Sequence, residues 1–291
     1  MAGIDFIVTG GTPDVTLPIA PSKDRILSNG SLVLYDPVHS AAPMDAGLVG
    51  GQSVPNIAWS QAAAILGAGD ATTLAGAFTL GTGNTAGTVK TERSGKGGIH
   101  VIMAQTGQTG NQQGAYLTLA TAIRDYLAAH PNNKYYISRW IKKTRAALSG
   151  GPAEGGLYTN GLSASGNSLF LILPSALTGN FSASEISPSI NAAGDIFLAA
   201  ATSDWQGTDP GTLSAFGHPV AWGQSIGSYQ SATYNNKSAS YVFQRFYMED
   251  LTVSGRTYQQ VHDIDKAFWQ VDMASGGRYY GDTYTDPATM P

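Results

Sequence analysis

From about residue 75 onward, the hydrophobic pattern is mostly that of strands: short runs rich in β-branched and aromatic residues, closed off by Gly, Asn, Ser or Pro, with apolar and polar positions alternating most clearly in the last of them. A period of two places side chains alternately on the two faces of a strand. GAFTLGTG, GIHVIMAQT, KYYISRWIKKTRA, NSLFLILP, GDIFLAAATSD and ASYVFQRFYMEDLTV are therefore predicted strands. In the last of them, Val242, Gln244, Phe246 and Met248 are expected on one face and Tyr241, Phe243, Arg245 and Tyr247 on the other. One mostly apolar face and one aromatic, partly polar face place that strand between the core and a second packing surface. Six or more such strands joined by polar connections predict a mainly β protein built as an antiparallel sandwich.

Two stretches switch to the helical period. GAYLTLATAIRDYLAAHP sets Tyr116, Leu119, Ile123 and Leu127 on one stripe and stops at Pro131. The second begins at Thr257, which with Gln260 matches a capping box; Val261, Ile264, Phe268 and Val271 follow on one face, and Gly276-Gly277 end it. A shorter Ala-rich piece, IAWSQAAAILGAG, is stopped by Gly67 and Gly69. Residues 1 to 60 are interrupted by Pro and Gly every few positions. Proline lacks a ladder donor and holds its predecessor extended. Residues 1–60 are thus expected as an extended N-terminal arm with strand-like pieces such as SLVLY, and residues 61–291 as the β-sandwich domain with its two short helices.

Composition narrows the partners. Charged residues make up 12% of the chain, against roughly 25% in ordinary globular domains. A net charge of −4 and a pI near 5.7 offer no footprint for a phosphate backbone, so nucleic acid is not an expected partner. There is no cysteine, which excludes disulfides and thiolate metal sites. The longest apolar run, LFLIL, is far short of the roughly 20 residues that span a bilayer, and the N-terminus lacks the pattern of a secretory signal, so membrane insertion is not expected. A surface this poor in charge self-associates readily, which points to a subunit covered by neighbours.

Candidate chemistry is sparse. GQSIG, residues 223 to 227, matches the Gly-x-Ser-x-Gly elbow, and Asp250 and His262 follow Ser225 in hydrolase order. No helical stripe follows it, however, and no oxyanion segment is present, so a catalytic Ser225 is not expected. The loop with Gly107, Gly110 and Gly114 lies between a predicted strand and helix but has no lysine to serve a phosphate. Glu249, Asp250, His262, Asp263 and Asp265 cluster in sequence, yet Glu249 and Asp250 point to opposite faces of a strand and His262 shares a helical face with Lys266. They are expected as a solvated helix face and strand-end polar groups, with no catalytic residue, metal site or cofactor. Trp140, Trp205, Trp222, Tyr229, Tyr234 and Tyr280 remain as aromatics that could stack on a sugar or anchor an interface. Core packing is the default for such residues; few carboxylates or amides flank them, so an interface is favoured over glycan.

The segment YVFQRFYMEDLTVSGRTYQQVHDIDKAFWQVDMASGGRYYGDTYTDP resembles the C-terminal part of bacteriophage structural proteins, in which an aromatic last strand runs into a short helix and a tail. IRDYLAAHPNNKYYISRWIKKTR resembles a helix-to-strand step in the same proteins. The resemblance covers about a third of the chain and its motifs are structural. It implies a concanavalin A-like or jelly-roll sandwich located in a virion and made in the host cytoplasm, tail-associated or decorating the capsid. It further implies that the partners are copies of the chain itself and other virion proteins. The competing reading is a lectin-like module that binds host-surface glycan through Trp205, Trp222 and loop tyrosines.

Overall fold

A computed structural model describes residues 24–45, 47–130, 133–152, 155–160, 167–173, 181–187, 196–204, 215–225 and 230–291. Among the described residues the protein is mainly β, with antiparallel sheets and four helices. The largest sheet centres on β14 (Ser240–Asp250), whose whole length pairs with β7 (Lys134–Arg145). The other edge of β14 is shared: its first half pairs with β5 (Ile99–Met103) and its second half with β1 (Ser31–Tyr35). β4 (Val89–Arg93) extends β5, while β11 (Ile196–Asp204) and β10 (Phe181–Ser187) extend β7.

A four-stranded sheet packs against one face. It runs β13 (Val220–Gly223), β6 (Gly114–Thr118), β3 (Gly76–Leu80), β2 (Gln52–Val54). Phe78, Leu117 and Trp222 from this sheet meet Val101, Ile141, Tyr241 and Phe243 from the large one in the main core. Burying each such side chain stabilises the fold by roughly 1.5–3 kcal/mol. The helices α1 (Trp59–Leu66) and α2 (Thr121–Ala129) contribute Ala62, Ile123 and Leu127 to this core. Strands β12 (Ala215–His218), β8 (Gly155–Asn160) and β9 (Asn167–Leu173) form a third sheet.

The opposite face of the large sheet carries α4 (Tyr258–Met273), preceded by the single-turn α3 (Leu251–Ser254). The predicted capping box is present in full: the Thr257 hydroxyl accepts from the Gln260 amide, and the Gln260 side chain accepts from the Thr257 amide. The buried side of α4 differs from the predicted stripe. Val261, His262 and Asp265 point inward, whereas Val271 is 68% exposed.

Three expectations are corrected. Residues 114–118 form a strand, with Ala115, Leu117 and Leu119 buried and Tyr116 and Thr118 half-buried, a period of two that pairing with β3 and β13 enforces. The helix begins only at Thr121. The arm expected over 1–60 is, from residue 24 on, part of the body: Leu32, Val33, Leu34 and Tyr35 of β1 are completely buried beside β14. Residues 1–23 lie outside the described residues. Finally, the faces of β14 change over at a bulge between Phe243 and Arg245. Tyr241 and Phe243 therefore share the core face with Phe246 and Met248, because an extra residue at Gln244 shifts the alternation by one.

Candidate functional site

That bulge aims Arg245 away from the core and into a buried network of charge. The Nη1 atom donates to Asp24 Oδ2 at 2.8 Å and lies 3.5 Å from Asp36 Oδ2, and its guanidinium stacks over Trp140 at 4.8 Å. Burial alone would raise the Asp24 carboxyl, but the hydrogen bond from His39 and the charge of Arg245 outweigh it and hold Asp24 well below the usual carboxylate range. Burial likewise acts to depress Arg245, and Asp24 and Asp36 reverse this and hold it above its ordinary value. His39 Nδ1 accepts from the Ala41 amide at 3.1 Å, which leaves its proton on Nε2, facing Asp24 Oδ2 at 3.4 Å.

The C-terminal residues close over the same face. Arg278 reaches Asp36 with Nη1 at 3.0 Å and Asp272 with Nε at 3.0 Å, and the buried Tyr279 hydroxyl sits 3.0 Å from both Asp36 Oδ1 and the Gln244 carbonyl. Farther along, the Thr285 amide and hydroxyl donate to Glu92, and Arg145 donates to the carbonyls of Pro287 and Met290. Residues 278–291 thus form a strap held onto the chain's own sheet. Between the strap, α4 and the loop after β1 lies an open cleft of about 350 Å³ walled by Arg25, Arg245, Arg278, His39, Asp24 and Asp272. Asp24, Arg25 and His39 drew no attention in the sequence, since no local pattern marks them and the bulge that recruits Arg245 has no spacing signature.

The acidic cluster expected to be solvated is buried. Asp265 accepts from the Tyr136 hydroxyl at 2.9 Å and from Trp140 Nε1 at 3.0 Å, and burial pushes its carboxyl upward against the opposing charge of Arg245. Glu249 accepts from Tyr247 at 2.6 Å and from Arg256 Nε at 2.8 Å. Asp250 caps α3 through the amides of Thr252 and Val253 and accepts from Tyr126 and Asn133 with its other oxygen. Glu249 and Asp250 do occupy separate neighbourhoods, as their adjacency on a strand requires. Only Asp263 of the five is exposed. Among the described residues no three His, Asp or Glu side chains converge as a metal site, and no helix is long and apolar enough to cross a membrane.

The remaining candidates fall into structural places. The Ser225 hydroxyl faces the Trp222 carbonyl at 2.6 Å and the Ala115 carbonyl at 3.0 Å, so its proton is directed at main-chain oxygen. The loop with Gly107, Gly110 and Gly114 joins two strands, β5 and β6, and so supplies no helix N-terminus for a phosphate. Trp140 and Trp222 are fully buried and their indole N–H groups are spent on Asp265 and on the Tyr241 carbonyl, which removes both from any surface platform. Tyr234 is half-buried and Tyr280 is 52% exposed. Trp205 and Tyr229 lie outside the described residues.

No family model matches the chain, and no curated protein matches it. Among solved structures it is similar to Trypanosoma rangeli sialidase in complex with 2,3-difluoro-KDN, at 13% identity and a TM-score of 0.37, over 90% of this chain and 36% of that one. The same sialidase with 2,3-difluorosialic acid, as the covalent intermediate, matches at 12% identity and a TM-score of 0.37, over 83% of this chain and 35% of that one. The complex with the inhibitor DANA matches at 10% identity and a TM-score of 0.35, over 85% and 34% respectively. The chain spans about a third of the length of these sialidases, and likeness at this level assigns neither a family nor an activity.

Proposed function

We propose that the protein is a non-enzymatic structural subunit of a bacteriophage virion, tail- or baseplate-associated or decorating the capsid, that assembles in many copies. Its β body would be a sandwich of the jelly-roll or concanavalin A-like kind. The observation that carries this reading is the poverty of charge on the outside. The chain has only 16 basic and 20 acidic residues, and among the described residues eight of them (Asp36, Arg139, Lys143, Arg245, Glu249, Asp250, Asp265 and Asp282) are buried. Val49, Leu148, Val271 and Tyr280 are each more than half exposed. A surface of neutral polar groups with scattered apolar side chains has little charge to keep copies apart. The buried ion pairs, for their part, hold sheet, helix and strap together as one block.

The resemblance of residues 241–287 to phage structural proteins supports the same reading. The lectin-like alternative loses Trp140 and Trp222, which are interior. Static light scattering on the full chain, beside a chain beginning at Asp24 that keeps every described strand, tests the proposal. A defined oligomer is expected for the full chain, and a monomer at every concentration would overturn it. Loss of the oligomer in the shorter chain would assign the contact to residues 1–23.

A further inference from the structure

The two packed sheets differ in charge. Residues 46–89, 97–123 and 219–236 supply all four strands of the sheet β13, β6, β3, β2, and the only charged residue in them is Asp70. Its carboxylate is turned back on its own turn, where it accepts from the Thr72 and Thr73 amides at 2.9 and 2.8 Å. Asp45, whose carbonyl accepts from the Gln52 side chain, stands at the rim. In the large sheet, by contrast, β7 carries Lys134, Arg139, Lys142, Lys143 and Arg145, and the edge strand β4 carries Lys90, Glu92 and Arg93. Val54, Phe78 and Leu117 turn into the core, so alternation puts Ser53, Ala77, Thr79, Tyr116 and Thr118 on the outer face of the smaller sheet. Ser53 lies opposite Ala77, and Ala77 opposite Thr118, in one row across three strands. Ser53 is exposed, and Ala77, Thr79 and Thr118 are half-buried. Tyr116 is covered by His218 of β12, 4.1 Å away between ring centres, so the open part of the face lies on β2 and β3. Val49, in the turn that leads into β2, is 63% exposed.

We infer that this face, around Ser53, Ala77 and Thr79, is where a second copy of the chain docks, like face against like face. Covering a charge demands a counter-charge on the other side, and this face has none to offer. Set against α4 or β4 of a neighbour, it would strip water from side chains such as Asp263 and Lys90 and give them no partner; set against its own kind, it strips none. A partner selected by complementary charge has nothing here to read. A two-fold contact of identical faces is self-complementary and closes on itself, and small side chains let two sheets approach to the roughly 10 Å of face-to-face packing. The inference rests on the assembly reading and places its contact.

Light scattering of the full chain with Ser53→Lys and with Ser53→Glu, each alone and the two mixed one to one, tests it, with Val271→Glu on α4 as the comparison. Each Ser53 variant alone is expected to keep the thermal midpoint of the parent, since the residue is exposed, and to fall to about half the parent mass or less, because the two-fold sets like charge against like. The mixture is expected to regain the parent mass, and Val271→Glu to keep it. Ser53 variants that both keep the parent mass, or a mixture that does not regain it, would overturn the contact of like faces. Loss of mass in Val271→Glu alone would overturn it too, moving the contact to α4 and leaving the assembly reading standing. A monomeric parent would overturn the inference together with that reading.

Discussion

Arg245 Nη1 lies 2.8 Å from Asp24 Oδ2, an ion pair that spans 221 positions of sequence and is almost closed to water. It fastens the segment ahead of β1 to the bulge of β14. Through Asp36, it also shares a carboxylate with Arg278 of the C-terminal strap. Two charges held this far from solvent repay their desolvation only while both are present.

Replacing Arg245 by methionine is therefore expected to destabilise the protein by about 3–5 kcal/mol, since Asp24 would lose its guanidinium partner and keep only His39 beside it, and Asp36 would be left to Arg278 alone. Urea unfolding followed by circular dichroism reads this directly. A loss under about 1 kcal/mol, the range of exposed pairs, would show that the network is not what joins these segments.

Acid should loosen the strap. Burial acts to raise Glu92, but hydrogen bonds from Thr285, His100 and Lys90 prevail and bring it from an ordinary 4.5 down to about 2. A carboxyl depressed in the folded state stabilises that state fully above 4.5, and the contribution drains away as pH falls from there towards 2. The protection of the Thr285 amide, its exchange compared with that of an unfolded chain at the same pH, is expected to fall across this window. In Glu92→Gln the protection should already be low at neutral pH and change little with acid; protection that persists at pH 2 in the parent would contradict the assignment.

Thr257→Ala removes one half of a capping box whose two bonds are 2.8 and 3.2 Å. A loss of about 1 kcal/mol is expected, with the thermal midpoint lowered and the fold intact. An unchanged midpoint would mean that α4 is held by its packing on β7 and β14 alone.

What the sequence revealed and concealed follows one physical line. The capping box of α4, the αL stop of α1 at Gly67 and the strand character of residues 240–250 were legible because each is set by residues close in sequence. The direction of Arg245 was not, because a bulge leaves no mark in composition and reverses every face beyond it. Asp265 looked like a solvated helix carboxylate, yet its partners Tyr136 and Trp140 come from β7, about 125 positions away. Residues 114–118 looked helical because Tyr116, Leu119, Ile123 and Leu127 fit a helical stripe by coincidence, while the neighbours that make them a strand are β3 and β13.

Ser225→Ala is expected to give a folded protein destabilised by about 0.5–1.5 kcal/mol, the worth of one hydroxyl bonded to a carbonyl. Any background hydrolysis of an activated ester by the parent should be unchanged in the variant. A loss of turnover at constant stability would make Ser225 a nucleophile and displace the structural reading.

Light scattering on the purified full chain, from dilute to concentrated solution and up to about 1 M salt, where charge–charge terms are screened within about 3 Å, tests the assembly role most directly. A charge-poor contact surface predicts a particle whose mass is a fixed multiple of 30.3 kDa and that survives the salt. A particle of 30.3 kDa under every condition would contradict it.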